Sequence, residues 1–205
     1  MGFYQKYILP AVIEWACSSE TSREQREKVV PLAAGNVLEI GIGSGRSLSL
    51  YDASKVKHLT ALDPRDKLWK RRKADTGTLD FEVTYIRGVA DRIPAEDGRF
   101  DTVVTTYTLC SIKKLENALK EIYRVLKPGG KLIFSEHGKA PDRGLERLQN
   151  LINPFWRQIG GGCNLNRDIP MLLKRNGFQA DGVTAGYLSG FKLTSYHYWG
   201  IALRI

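Results

Sequence analysis

The sequence predicts a three-layer αβα sandwich, in which helices cover both faces of a mostly parallel sheet of seven strands. Short apolar runs rich in β-branched residues alternate along the chain with amphipathic helix patterns, which is typical of parallel sheets. The runs are continuous rather than alternating, as expected for strands that are buried on both faces. After the last helix pattern the chain becomes β-rich, which predicts an antiparallel addition at the C-terminal end.

Five apolar runs are predicted as the parallel strands, and they are residues 37–40, 59–62, 81–86, 102–106 and 131–135. Between the last two runs, apolar residues recur at three- and four-residue steps from Ile112 to Leu126. This stripe predicts a helix that ends at the Lys-Pro-Gly-Gly run 127–130, because proline and glycine cannot continue it.

The C-terminal part contains a second helix pattern. Asp168 can cap this helix, Pro170 fits its first turn and Gly177 follows its last turn. Residues 178–187 and 196–204 then form the predicted antiparallel pair.

Length and pattern together predict a single domain. The 205 residues are 42% hydrophobic, enough for one well-buried core. Apolar positions at helical spacing between Tyr4 and Trp15, followed by basic residues, predict one or two helices before the first strand. We divide the chain into an N-terminal helical segment at 1–34, a core at 35–140 and C-terminal helices and strands at 141–205.

Composition also limits where the protein is expected in the cell and whether it is expected to bind a metal. No stretch approaches the roughly 20 apolar residues of a membrane span, and Pro10 interrupts the N-terminal apolar run. We therefore expect a soluble, cytoplasmic protein. The three cysteines, Cys17, Cys110 and Cys163, are widely spaced and form no C-x-x-C pair. This spacing argues against a disulfide framework and a zinc site, so no metal is expected.

Basic residues outnumber acidic residues in the sequence, so an anionic partner has to be considered. The net charge is +9, and basic residues are dense between Lys67 and Lys73. Such clusters are commonly solvated helix faces, and Trp69 is the aromatic residue within this one. Nucleic-acid binding is therefore disfavoured, and contact with a membrane surface is the better alternative.

A glycine-rich turn follows the first predicted strand. Gly41, Gly43 and Gly45 allow tight turning and close approach of the backbone to a nucleotide-like cofactor. A dinucleotide fingerprint would need a third glycine where this chain has Arg46. The turn therefore favours a ligand without a pyrophosphate, with NAD as the alternative.

Two acidic residues lie near this turn. Asp63 ends the second strand and precedes Pro64, in reach of two adjacent ribose hydroxyls. The alternative is that Asp63 caps the following helix. Glu39 either contacts the amino group of the cofactor or orders the glycine loop.

Five segments follow one another along the chain, and they are LEIGIGSGR at 38–46, LDP at 62–64, GVADRIPAEDGRFDTVV at 88–104, RVLKPGG at 124–130 and LIFSEHG at 132–138. In this order they resemble the class I methyltransferases, which have a Rossmann-like fold. The resemblance implies S-adenosylmethionine (SAM) as cofactor and S-adenosylhomocysteine as product.

Together, the residues and the resemblance predict a cofactor site, whose members are Arg26, Glu39, Gly41, Gly43, Gly45, Asp63, Pro64, Ala90, Asp91 and Thr106. Asp63 then binds the ribose, and Ala90 and Asp91 hold the adenine edge. Val89 stands where many relatives have an aspartate, so the adenine amine is met by Asp91 or by backbone. Arg26, on a helical lid at 1–34, either pairs with the methionine carboxylate or lies solvated on its helix face.

A closer resemblance is to the methyltransferases of ubiquinone and menaquinone biosynthesis, and especially to the alkyl thiol methyltransferases. It rests on residues 108–112, 135–138, 155–156 and 162–167. Membrane-associated members carry an apolar leader that this sequence does not show, so peripheral membrane contact is the alternative to a purely cytoplasmic location. The implied activity is methyl transfer to a small apolar acceptor, a thiol first and a quinone, phenol or lipid headgroup second.

Methyl transfer needs alignment and exclusion of water more than it needs catalytic side chains. His137, just past the fifth strand, is the candidate base or substrate orienter, with a loop anchor as the alternative. Tyr107, past the fourth strand, either frames the methyl group or lines the core. Cys110 and Cys163 have no activating neighbours in sequence and are not assigned to catalysis.

Several residues have two interpretations. Phe155, Trp156 and Tyr187 either line the core or wall an acceptor pocket, and Arg167 either orients an anionic acceptor or bonds carbonyl groups. Three further functions stay open, namely a SAM-binding module without turnover, an NAD-dependent dehydrogenase and an RNA methyltransferase.

Overall fold

The computed structural model describes residues 18–70 and 79–205. The predicted helical positions from Tyr4 to Trp15, together with Cys17 and residues 71–73 of the basic cluster, lie outside these ranges. In chain order the elements are α1 (Glu20–Val29), β1 (Gly35–Ile40), β2 (Val56–Asp63), α2 (Asp66–Lys70), β3 (Glu82–Arg87), β4 (Phe100–Thr106), α3 (Leu115–Val125), β5 (Leu126–His137), α4 (Arg143–Ile159), α5 (Ile169–Arg175), β6 (Phe178–Tyr187) and β7 (Tyr196–Arg204).

The strands form one seven-stranded sheet in the order β3-β2-β1-β4-β5-β7-β6. Strands β1 to β5 run parallel, and β7 is antiparallel to both of its neighbours, β5 and β6. The predicted sheet with its antiparallel C-terminal strand is therefore confirmed. The strand order reverses between β1 and β4, and α/β sheets bind ligands at the carboxyl ends of the strands at such a point.

Consecutive strand residues contribute to two separate cores. In β5, Leu132 and Phe134 belong to the cluster that contains Leu119 of α3. Ile133, between them, belongs to the cluster on the other face, which contains Val29 of α1. Because helices cover both faces, successive positions of a central strand are buried, such as residues 102–106 of β4, and this explains why the apolar runs are continuous.

The start of β5 differs from the prediction. The strand begins at Leu126 rather than at Lys131, and it includes the Pro-Gly-Gly run 128–130. Leu126 pairs with Phe100, and the register shifts before Lys131 pairs with Thr102. This irregularity accommodates proline and glycine at the entry of the strand, where local sequence rules predict only a helix end.

The C-terminal predictions are confirmed. Asp168 caps α5 by accepting a hydrogen bond from the Met171 N–H at 3.1 Å, and β6 and β7 have the predicted bounds. Within the described residues, none of the helices combines the length and the apolar character needed to cross a membrane.

Gly200→Ala is expected to destabilise the fold. Gly200 in β7 has a φ of 140°, and an added Cβ would lie 2.3 Å from the Gly182 carbonyl oxygen. Backbone strain of this kind costs about 1–3 kcal/mol, and each kcal/mol lowers Tm by about 2–4 °C at this chain length. The control is Gly144→Ala on α4, where an added Cβ meets nothing within 4 Å, so Tm should rise slightly. Equal Tm values for the two variants in thermal unfolding would contradict this expectation.

Candidate active site

A cavity of about 590 Å³ opens at the carboxyl edge of the parallel strands. The loops that follow β1, β2, β4 and β5 meet there, and α1 and α4 contribute side walls. Representative lining residues are Gly43, Asp63, Thr106, His137, Arg26 and Trp156. The cavity therefore lies where the strand order reverses.

The glycine turn needs its glycines for two different reasons. Gly41 and Gly43 line the cavity with φ values of 79° and 55°, and a Cβ on Gly41 would lie 2.2 Å from the Thr108 hydroxyl. Gly45 is not among the lining residues. Its φ is 76°, and a Cβ there would lie 2.7 Å from Leu48, so Gly45 shapes the turn and its packing.

Asp63 joins the glycine turn to the second strand. Its buried carboxylate accepts hydrogen bonds from the Gly43 N–H at 3.1 Å and from the Arg65 N–H at 2.8 Å. Asp63 and Pro64 both line the cavity. Asp63 thus makes a capping contact with the backbone that follows it. Its carboxylate also lies at the cavity, where it can reach a bound ligand.

Glu39 orders the loop that follows the turn. The Ser47 hydroxyl lies 2.6 and 2.7 Å from the two carboxylate oxygens, and the Tyr51 hydroxyl donates to one of them at 2.8 Å. Burial raises the pKa of Glu39, although both hydrogen bonds oppose this rise. Glu39 therefore makes the contacts that its predicted loop-ordering role requires. It also lines the cavity.

Arg26 of α1 is buried in the cavity wall rather than solvated, so the interpretation as a solvent-exposed arginine is wrong. Its Nε donates to the Thr106 hydroxyl at 3.3 Å, and its guanidinium lies 5.4 Å from the centre of the Tyr107 ring. A buried positive charge on a cavity wall is suited to an anionic ligand group.

Tyr107 has an unusual backbone conformation. Among the described residues it is the non-glycine with a positive φ, 53°, which is a strained conformation often found at functional sites. Its ring packs edge-on against His137 and His197 at centroid distances of 6.2 and 5.7 Å. Burial raises the pKa of Tyr107 to about 12, so its hydroxyl stays protonated at neutral pH.

Glu136 fixes the loop after β4, a role that was not predicted. Its buried carboxylate accepts hydrogen bonds from the backbone N–H groups of Thr108, Leu109 and Cys110 at 2.8, 2.9 and 3.3 Å. The acidic residue before His137 was the available signal, but its partners are distant in sequence. The carboxylate ties the β4 loop to the end of β5.

His137, Cys110 and Cys163 come together in the cavity wall. The Nε2 atom of His137 lies 3.0 Å from Cys163 Sγ, and Trp156 Nε1 donates to the same sulfur at 3.4 Å. The Cys163 thiol and burial raise the pKa of Cys110. Burial disfavours protonation of His137, but the Cys110 thiol and the Glu136 carboxylate favour it and raise its pKa to about 9. The three side chains therefore form one compact cluster, with their nitrogen and sulfur atoms within 4.8 Å of one another.

Other predicted site residues have different positions. Ala90 lines the cavity, but Asp91 is not among the lining residues and lies 3.8 Å from Lys114. Phe155 and Tyr187 are exposed, so neither belongs to the core or to the cavity wall. Arg167 donates to the backbone carbonyl oxygens of Leu109 and Ile112, in agreement with its carbonyl-bonding interpretation.

Comparison with known proteins gives a family for this architecture. Residues 38–134 match the family described as "Methyltransferase domain". Thiol S-methyltransferase TMT1A of Homo sapiens is 33% identical over 147 residues, covering 70% of this chain and 59% of that protein. The ubiquinone/menaquinone biosynthesis C-methyltransferase UbiE of Dinoroseobacter shibae is 27% identical over 126 residues, covering 60% and 50%. The chain thus spans between half and three fifths of the length of these relatives.

Solved structures share the fold. A SAM-dependent methyltransferase of Methanosarcina mazei has a TM-score of 0.66 at 22% identity, covering 83% of this chain and 92% of that one. The N-methyltransferase NodS of Bradyrhizobium japonicum has a TM-score of 0.65 at 17% identity, covering 92% and 98%. The Rossmann-like fold and the predicted resemblance are confirmed. Residues 38–134 are thus a methyltransferase domain, and the chain is similar in sequence and in fold to class I methyltransferases that use SAM.

Proposed function

We propose that this chain transfers the methyl group of SAM to the thiol of a small apolar acceptor. The observation that supports this most directly is the continuity of the cavity. The glycine turn and Asp63 lie at the ends of β1 and β2, here the first end of the cavity. Cys110 and His137 lie at the ends of β4 and β5, here the second end, on the other side of the point where the strand order reverses. A cofactor at the first end can therefore present its methyl group to an acceptor at the second.

The first end suits the polar parts of SAM. Gly41 and Gly43 let the cofactor lie against the turn, and Asp63 offers a buried carboxylate to two ribose hydroxyls. Arg26 offers a positive charge to the methionine carboxylate. Ala90, beside the end of β3, supports the adenine, and its amine is left to backbone groups because Asp91 does not line the cavity.

The second end suits an apolar acceptor. Ile112, Trp156 and Ile159 provide apolar walls, and such walls exclude water from the reaction. A thiolate that attacks the sulfonium methyl group gives two neutral products, so a dry site favours the step. Tyr107, whose ring stands between Arg26 and His137, frames the place where methyl group and acceptor meet.

The thiol is favoured over other acceptors for two reasons. Thiol S-methyltransferases are 33–34% identical to this chain, whereas UbiE C-methyltransferases are 25–28% identical. A thiol also ionises with a pKa near 8.5, so it needs less help than a phenol or a carbon acid. Methylation of a quinone, phenol or lipid headgroup is the second candidate, supported by the UbiE similarity.

We further propose that α4 meets an anionic membrane surface that supplies apolar acceptors. Leu148, Leu151, Phe155 and Ile159 form an exposed apolar stripe at three- and four-residue steps along this helix. Ile159 also lines the cavity, so the stripe reaches its mouth. The exposed arginines of the same helix and the net charge of +9 complement anionic headgroups.

Asp63→Asn is expected to weaken SAM binding by roughly 10- to 100-fold, as expected for loss of about 1.5–3 kcal/mol from hydrogen bonds to a charged group. Isothermal titration calorimetry measures this loss. Asp91→Asn is the matched control, because Asp91 contacts Lys114 outside the cavity lining, and it should bind SAM like the wild type. Equal losses in both variants would contradict the assignment of Asp63.

Transfer of labelled methyl from SAM tests the reaction. With matched octyl thiol, octyl alcohol, phenol, quinol and lipid amine acceptors, we expect the thiol to give the fastest product formation. Asp63→Asn should reduce the rate at limiting SAM. Faster turnover of the phenol or quinol would support the second candidate. If no acceptor gives a product, the proposed function is wrong and the remaining interpretation is a SAM-binding module without turnover.

Leu151→Glu with Phe155→Glu should reduce co-sedimentation with vesicles that contain phosphatidylglycerol, because these are the most exposed apolar side chains of α4, at 78% and 64%. Met171→Glu, on the neighbouring helix α5 and 46% exposed, is the matched control and should bind vesicles more tightly than the double variant. Wild-type protein that fails to bind anionic vesicles at low salt would overturn the proposed membrane contact.

A further inference from the structure

We infer that Cys110, His137 and Cys163 bind a zinc ion whose fourth coordination position faces the cavity. Among residues 18–70 and 79–205, these three donor groups come together with all ligand atoms within 4.8 Å of one another. Two sulfurs and one imidazole nitrogen form a donor set that zinc prefers. Zinc bonds of about 2.0–2.3 Å fit between such atoms with little movement, since His137 Nε2 and Cys163 Sγ are already 3.0 Å apart.

The surrounding hydrogen bonds hold the three ligands in place. Glu136 fixes the Cys110 loop to the strand that ends with His137. The Asn164 side chain donates to the Cys110 carbonyl oxygen at 2.8 Å and its backbone N–H donates to the same oxygen at 2.9 Å, which joins the Cys163 loop to the Cys110 loop. These hydrogen bonds connect the two cysteine loops and the end of β5, so they position the three ligands before any metal binds.

Two further polar groups lie beside the sulfurs. The indole N–H of Trp156 lies 3.4 Å from Cys163 Sγ, and the Ser111 hydroxyl lies 3.4 Å from Cys110 Sγ. Hydrogen-bonding groups beside a metal ligand help to orient it, and the Trp156 N–H is such a donor to Cys163. Both carboxylate oxygens of Glu136 are occupied by backbone N–H groups, so this residue does not supply a fourth ligand.

The fourth position is left to a ligand from the cavity. Cys110, His137 and Cys163 all line it, opposite the turn where SAM is proposed to bind. Zinc sites with three protein ligands and an open position are catalytic rather than structural. An acceptor thiol fits this position, because zinc deprotonates a coordinating thiol.

The reaction step balances without a further reactant. The acceptor R–SH binds zinc as R–S⁻ and releases its proton to solvent. A sulfur lone pair then forms the new S–CH₃ bond while the CH₃–S⁺ bond of SAM breaks and its electron pair returns to sulfur. The neutral thioether is a weak ligand and leaves. This catalytic part rests on the proposed thiol methylation, whereas metal binding itself does not.

Metal binding is tested directly on the reduced chain of 205 residues. We expect zinc to bind stoichiometrically after dialysis, and cobalt in its place to show thiolate-to-cobalt charge-transfer bands. Cys110→Ser and Cys163→Ser should weaken the bands and lower metal affinity by more than the roughly 10- to 100-fold typical of an outer-shell loss. Asp91→Asn, whose carboxylate contacts Lys114 outside the cavity lining, is the control and should leave the bands unchanged, and SAM titration checks that each variant folds.

Trp156→Phe keeps the test decisive if the cysteine variants do not fold. It removes one donor to Cys163 and should lower zinc affinity by roughly 10- to 100-fold while SAM binding remains. Absence of metal binding, binding that is insensitive to Cys110 and Cys163, or recovery of a Cys110–Cys163 disulfide that excludes metal would overturn the inference.

Activity separates this inference from the proposed function. Chelated protein should bind SAM but lose thiol methylation, and zinc should restore it. Unchanged thiol methylation after chelation would overturn the catalytic role of zinc and leave the proposed function intact. If zinc binds stoichiometrically but no thiol is methylated, the proposed function is wrong, whereas the inferred metal site remains supported.

Discussion

The parallel strands β1, β2, β4 and β5 end at the same edge of the sheet, and the cavity exists because the loops that follow them meet there. This arrangement requires both faces of the sheet to be covered, since parallel strands need crossover connections. Residues as distant in sequence as Gly43, Asp63, Thr106 and His137 thereby become neighbours of one ligand-sized space.

Two buried carboxylates make these loops rigid. Glu39 lies within β1 and binds hydroxyl groups of the segment that follows the glycine turn, and Glu136 lies near the end of β5 and binds three backbone N–H groups of the β4 loop. An isolated buried carboxylate is costly, so each residue stays buried only while its donors remain in place. The cavity walls are consequently preorganised on both sides of the position proposed for the transferred methyl group.

Helix α4 lies between the cavity and the outer surface of the protein. Its inner face carries Gln149 and Asn153, whose buried amides bond backbone groups of neighbouring loops, as Gln149 does with Ala140 and Gly138. Trp156 reaches the Cys163 sulfur, while the outer face exposes apolar side chains such as Leu151. A single amphipathic helix thus forms part of the cavity wall and also carries an exposed apolar stripe.

Local patterns in the sequence determined the strands, the glycine turn, the acidic residue Asp63 and the cap at Asp168, because periodicity, turn chemistry and capping act over a few residues. The spacing of the cysteines argued against a metal site. Only the tertiary structure brought Cys110, His137 and Cys163 within 4.8 Å of one another, gave Glu136 its partners and moved Asp91 away from the cavity lining. Their positions depend on how three loops pack at the sheet edge, and that packing is decided by long-range contacts that no local pattern encodes.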